Sequence, residues 1–314
     1  MITSVSPDTT AGGAERARPG VPTSLGMTPA ADYVIGMPHP VAAPVVTIRP
    51  PKGWAPLDLR ELAGAQELLY FLVLRNLKLR YKQTALGAAW ALLQPLLTMA
   101  VFTVVFGRLA RLDSEGLPYP VFALAALVPW TYFATALTQA GNSLVDQQQL
   151  LTKIYFPRLL LPLAAVIAGL VDLAIAFALL LMVLAWYGIA PSVRLLAAPA
   201  FALLAAASAL APGVWLAALN VRYRDVRHVI PFLVQIWLFV TPVVYSSGLV
   251  PERWRPLYGL NPMAGVVDGF RWMIAPSAPA VGASLAVSVA AVAILLTAGL
   301  HFFRRMERSF ADVV

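Results

Sequence analysis

The chain has no cysteine, only three histidines and few charges. Without cysteine there is no disulfide framework, no thiolate nucleophile and no cysteine-ligated metal site, and the redox compartment is left open. His39, His228 and His301 stand far apart, in no metal-ligand spacing. Charged residues make up 12% of the 314, where a soluble domain carries roughly a quarter. The GxSxG and HExxH strings of hydrolases are missing, and so is any GxxxxGK(S/T) phosphate loop. ATP hydrolysis by that route is excluded for this chain, so energy from ATP has to come through a partner. A secretory signal is lacking as well, because MITSVSPDTTAGGAERARPG offers neither a basic start nor a continuous apolar core.

What is there is apolar. Hydrophobic residues make up 60% of the chain, and they come in blocks at or above the roughly 18 to 20 residues that a helix needs to cross hydrocarbon. The blocks do not alternate as barrel strands do, and open sheet edges cannot face lipid. An all-α integral membrane protein is therefore expected. Six spans are predicted at Gly87 to Phe106, Pro120 to Ala140, Leu159 to Trp186, Leu195 to Leu219, Val229 to Ser247 and Val281 to Phe303.

The remaining segments set the domain organisation. Residues 1–58 form a tail; the first 56 residues carry ten of the 26 prolines and no sustained apolar period, which predicts disorder. From Leu59 to Lys82, the residues Arg60, Glu67, Arg75, Lys78 and Lys82 fall on one stripe of a helical wheel, with Arg80 off it. This predicts an amphipathic helix in the membrane interface, or else a first turn of the next span that overhangs into solvent. Residues 83–314 hold the six spans. Lys and Arg number thirteen in the connections on one side and six on the other, which places both termini in the cytoplasm. The net charge of +8 is largely this topology bias, and no nucleic-acid partner needs invoking.

Two connections are unlike plain turns. DQQQLLTKIYFPRLL, after the second span, mixes Leu150, Leu151, Ile154 and Phe156 with Lys153 and Arg158. It suits either a short cytoplasmic helix whose apolar residues press on something or a basic anchor at lipid headgroups. Gly248 to Ala280 is broken by five prolines, Pro262 among them, with Trp254, Tyr258, Phe270 and Trp272 interleaved. It reads as a re-entrant hairpin or as an interfacial loop with an aromatic belt.

Inside the spans the only acid is Asp172, near the middle of the third. A central Asp costs about 3 kcal/mol on the insertion scale, and the apolar residues around it return roughly 5 to 9 kcal/mol, so the helix can insert. Such a carboxylate is a functional candidate or a structural one bonded to a neighbouring helix. The first span carries Trp90, Gln94, Thr98, Phe102 and Phe106 at intervals of four, and the fifth carries Phe232, Gln235 and Phe239 on a similar face. Rings stack on sugar faces and amides bond hydroxyls, so these stripes suit a sugar path; they equally suit ordinary helix packing.

Four strings go further: LRNLKLRYKQTALGAAWALLQPL, YFPRLLLPLA, LNVRYRDVRHVIPFLVQIWLFVTPVVY and LNPMAGVVDGFRW. In this order they resemble the permease subunits of bacterial ABC exporters for polysaccharides and polyol phosphates, from about Leu59 to the end. The resemblance implies a homodimer of six-span protomers in the plasma (inner) membrane, pairing with a separate ATPase. It implies a lipid-linked glycan as substrate, such as O-antigen, capsule or teichoic acid. No cofactor is expected on this chain, ATP and Mg entering through the ATPase. Leu59 to Lys82 then corresponds to the interface helix, and Asp146 to Arg158 contains the coupling helix, with Leu150, Leu151, Lys153, Ile154 and Phe156. Gly248 to Ala280 corresponds to the external gate, with Trp254, Tyr258, Asn261, Pro262, Phe270 and Trp272. The resemblance also favours the sugar-path reading of the two stripes. A drug-exporting permease of the same architecture and a membrane glycan enzyme are the other two classes left open.

Overall fold

The computed structural model describes residues 64–82, 87–153, 156–275 and 282–307; Ile154 and the tail lie outside them. Among these residues the structure is helices and turns. The helices are α1 (Gln66–Tyr81), α2 (Gly87–Phe102), α3 (Tyr119–Asp146), α4 (Gln148–Lys153), α5 (Leu160–Trp186), α6 (Ala198–Arg222), α7 (Val226–Val240), α8 (Arg255–Tyr258), α9 (Pro262–Ile274) and α10 (Ala283–Glu307). Thr103–Leu109 prolongs α2 as a wider π-helical turn, and Val193–Ala197 leads into α6 as a 3-10 turn.

Among the described residues five stretches are long and apolar enough to cross a bilayer: Leu92–Leu109, Tyr119–Asp146, Leu160–Trp186, Val193–Arg222 and Ala283–Glu307. The sixth apolar helix, α7, has only 15 residues and rises about 22 Å, short of the roughly 30 Å hydrocarbon. The fifth predicted span is corrected here: helix stops at Val240 and does not continue to Ser247. The cause is local, since Pro242 disfavours helical geometry at Thr241, whose ψ is 142°. The Thr241 hydroxyl donates to the Trp237 carbonyl at 2.8 Å.

α3 is the axis of the fold. Pro120 sits in its first turn, where a missing N–H costs nothing, and its Val121 to Val128 stretch is wholly buried. It packs chiefly on α6, where Gly213 faces Ala140 and Gly141 faces Ile230 of α7. A Cβ on Gly213 would come within 2.9 Å of the Ala140 Cβ, and one on Gly141 within 2.8 Å of Ile230. Close backbone approach through small residues replaces the hydrophobic drive that lipid does not supply.

The connections rich in Lys and Arg assemble at one end of the bundle. There Leu72, Leu144, Leu159 to Leu161, Val221 and Phe303 form a second buried cluster. Arg75 donates to Gln147 at 2.8 Å, Arg158 to the Glu307 carbonyl at 2.8 Å, and Arg227 pairs with Asp146 at 3.6 Å. The charge asymmetry of the sequence thus becomes an asymmetry between the two ends of the bundle.

Candidate functional site

The two aromatic stripes separate in the structure. On α2, Phe102 and Phe106 meet edge to face at 5.5 Å and rest half-buried on the α3 core beside Met99. Gln94 is exposed, and the Thr98 hydroxyl turns back to the Gln94 carbonyl at 2.9 Å; the side chain of Trp90 lies outside the described set. On α7, Phe232, Gln235 and Phe239 point outward, with Phe232 63% and Phe239 65% exposed. Among the described residues no ring pair joins the two stripes. Within one protomer the first-span rings pack and the fifth-span rings are free, a division that a spacing of four cannot reveal because it marks a face without saying what the face meets.

The segment after α7 is built to hold a turn-back. The Asn261 side-chain oxygen accepts from the Met263 N–H at 3.1 Å, capping α9, and from the Trp237 indole at 2.8 Å. Its amide donates to the Thr241 hydroxyl at 3.0 Å. One residue thereby ties the broken end of α7 to the start of α9. Tyr258 donates to the Val240 carbonyl at 2.8 Å and meets the Tyr245 hydroxyl at 2.6 Å. Pro262 occupies the first turn of α9, where it needs no donor. α9 is buried along nearly all its length against α3, α6 and α10, as apolar chain that dips among membrane helices must be. Phe270 lies inside, edge to face with Phe177 at 6.0 Å, and Gly269 lets the Phe201 ring lie against the α9 backbone. Trp254 stands apart at the surface, half-exposed.

Arg271 is one of the six Lys and Arg residues on the outer side of the charge count, and the structure corrects its reading as a loop charge. The residue is 1% exposed. Its guanidinium donates to the Val243 carbonyl at 3.0 Å and the Tyr245 carbonyl at 3.2 Å, and it lies over the Phe122 ring at 3.6 Å. Asp268 and Glu115 supply opposite charge, and Glu115 accepts from the Ser246 hydroxyl. The carbonyls that Arg271 serves are those freed where α7 stops. Arg194 plays a related part at the C-terminal end of α9, donating to the Ala275 carbonyl at 3.1 Å and lying 5.1 Å over Trp272. A charge in an apolar, proline-broken segment was the available signal for both.

At the basic end, α4 is six residues long. Leu150, Leu151 and Phe156 are half-buried against the chain's own second cluster, so they anchor the loop to α1, α3 and α6 from within. Gln148 and Gln149 form its exposed side. For Lys153 the backbone alone is described.

Asp172 is not alone. Arg80 and Tyr81, at the end of α1, reach it as an ion pair and as a hydroxyl donor, and Arg80 also donates to Gln139 of α3. A partner is absent from the third span itself; it comes from the N-terminal helix. That helix was expected to lie in the interface, and its stripe of Glu67, Arg75, Lys78 and Lys82 is exposed as such a helix requires. At its far end Arg80, the cation off the stripe, meets Asp172, twelve residues into α5, or about 18 Å along that helix.

A bundle of span-length apolar helices with a buried, polar-capped turn-back is the architecture of a multi-pass membrane protein. The chain belongs to the ABC-2 type transporter family, whose model matches residues 67–275. It is 33% identical over 263 residues to the O-antigen export system permease protein RfbA of Myxococcus xanthus, covering 82% of this chain and 98% of that one. A Klebsiella pneumoniae protein of the same description is 24% identical over 254 residues, covering 79% and 95%. The polysialic acid transport protein KpsM of Escherichia coli is 23% identical over 248 residues, covering 76% and 93%.

Proposed function

We propose that this chain is the transmembrane subunit of an ATP-driven exporter that moves a lipid-linked polysaccharide, of O-antigen, capsule or teichoic-acid type, out across the bacterial inner membrane. The observation that carries this reading is the likeness to an O-antigen export permease over 98% of that protein's length. Family membership implies a separate ATPase, which supplies ATP and Mg and docks at the basic end, where Gln148 and Gln149 are exposed. The positive-inside bias favours that end as the cytoplasmic one, with both termini there when short α7 is counted as the sixth crossing. A homodimer is favoured by the thinness of cover on α2 and α7, whose apolar side chains Leu97, Val101, Phe232 and Phe239 are all more than half exposed.

The test is genetic and chemical. Deleting the gene should strip one class of glycan from the cell surface and leave its lipid-linked form inside the inner membrane, with recovery on complementation. Intact surface glycan together with a raised drug sensitivity would favour a small-molecule exporter instead. Topology has its own test, made simple by the absence of native cysteine. An impermeant thiol reagent on spheroplasts should label Val193→Cys and leave Arg224→Cys unlabelled; the opposite pattern overturns the orientation.

A further inference from the structure

Among the described residues the first span is the least supported of the five span-length helices, with 6% of its apolar window buried, yet the resemblance to polysaccharide-export permeases assigns it half of a sugar path. Something has to fix where it starts. Its first residue, Gly87, follows Lys82 at the end of α1 by five positions. The last turn of α1 holds the polar cluster deep within the bundle: Arg80 with Asp172 and Gln139, and Tyr81 with Asp172. The cluster joins three elements, and both ions are only partly exposed, Arg80 at 21% and Asp172 at 24%.

We infer that Asp172 and Arg80 are positioning residues for transport: their ion pair pins the root of the first span to the third, and so sets the placement of the path wall formed by α2. The physical case has three parts. Asp172 has no favourable place in an apolar helix alone and Arg80 stands off the exposed stripe of α1, so each draws the other in and the pairing is specific to this register of α1 against α5. The Gln139 amide and the Tyr81 hydroxyl take up further hydrogen-bonding capacity, which makes the pair directional as well as attractive. The middle of α1 is held independently by buried Leu72 and by the Arg75 bond to Gln147, so one short helix carries two anchors, with Leu72 and Arg75 both preceding Arg80 on it. An apolar contact in lipid could slide by a turn at little cost; a charge pair with two polar supports cannot.

The inference rests on the export reading for its functional arm alone, because the position of the first span can be read without substrate. In the complete transporter, spin labels at Leu97→Cys and Met182→Cys, diluted with the cysteine-free parent so that distances within one protomer dominate, report the first span against the third. Asp172→Asn and Arg80→Gln should broaden that distance distribution and lower glycan export at least about tenfold, with the ATPase still co-purifying. Exchanging the charges, Arg80→Asp with Asp172→Arg, should recover both. Wild-type distances and export in Asp172→Asn overturn the inference. If the single variants fail to accumulate, the apolar pair Arg80→Leu with Asp172→Leu removes the unpaired charge. Recovered protein with broad distances and weak export then supports positioning, and recovered protein with wild-type distances and export shows charge compensation alone and overturns it. Absence of export in the wild type would defeat the functional reading while the distances still judge the pin.

Discussion

The second span and the first are neighbours of similar composition, and the structure treats them in opposite ways. In Tyr119–Asp146 the apolar window is 78% buried, whereas in Leu92–Leu109 it is 6%. Two apolar helices can both insert into lipid, but only one of them is enclosed by its own chain. The enclosed helix has alanines and glycine opposite those of α6; the open one has Leu93, Leu97, Val101 and Val104 facing outward. The difference separates a scaffold from a surface that works by what later covers it: lipid, a second copy, or a sugar chain. Hydropathy counts the two alike, since it reports the solvent a helix tolerates and is silent about its neighbours.

The comparison predicts a graded series. Phe133→Ala in the second span, where the ring is fully buried against Trp130 and Trp237, should cost about 3 to 5 kcal/mol and sharply reduce protein in the membrane. Leu97→Ala in the first span should leave the level unchanged by quantitative immunoblot. Equal losses from both would erase the distinction.

Gly269→Ala comes next. A Cβ there would stand 1.9 Å from the Phe201 ring, so α9 has to shift, at about 1 to 3 kcal/mol for overpacking; a lowered melting midpoint in detergent is the readout. Asn261→Ala removes an N-cap and the links to Trp237 and Thr241, and should cost about 0.5 to 2 kcal/mol for the cap alone. Asn261→Asp keeps the cap oxygen and the Trp237 acceptor but loses the donor to Thr241, so it should fall between wild type and Ala.

How far the sequence reached follows the same division. Most helix positions and the gathering of basic connections at one end were legible, because hydropathy and charge each act locally, whereas the fifth span ends at Val240 and not at Ser247. Pairings between distant helices were not legible. Asp172 stands out in the sequence as the only acid in a span and Arg80 as the one cation off its stripe, but a local pattern does not say which neighbouring helix supplies the partner. Arg271 falls in an outer connection by sequence, and nothing in its neighbours announces burial. Leu150 and Leu151 were recognised as pressing on something, which proves to be the chain's own cluster, so Leu151→Asp should lower protein level before it touches ATPase docking. The stripes were seen as stripes, but their facing depends on the tertiary fold.

The smallest effects on stability concern those stripes. Phe239→Leu keeps most of the volume and sits on an exposed face, so protein level should hold while a lost stacking contact, worth roughly 1 kcal/mol, slows glycan export. Phe102→Leu lies half-buried on the core and should show a slight loss of protein alongside any loss of export. Export unchanged in both would leave these rings as packing.

The central claim, that this chain moves a glycan using a partner's ATP, is tested most directly in inverted inner-membrane vesicles loaded on their outer face with radiolabelled lipid-linked glycan. ATP should drive the glycan head group into a glycosidase-protected state when this chain and its ATPase are both present, and not when either is omitted. Protection that arises without ATP, or that fails to arise with both subunits present and ATP being hydrolysed, would contradict the account.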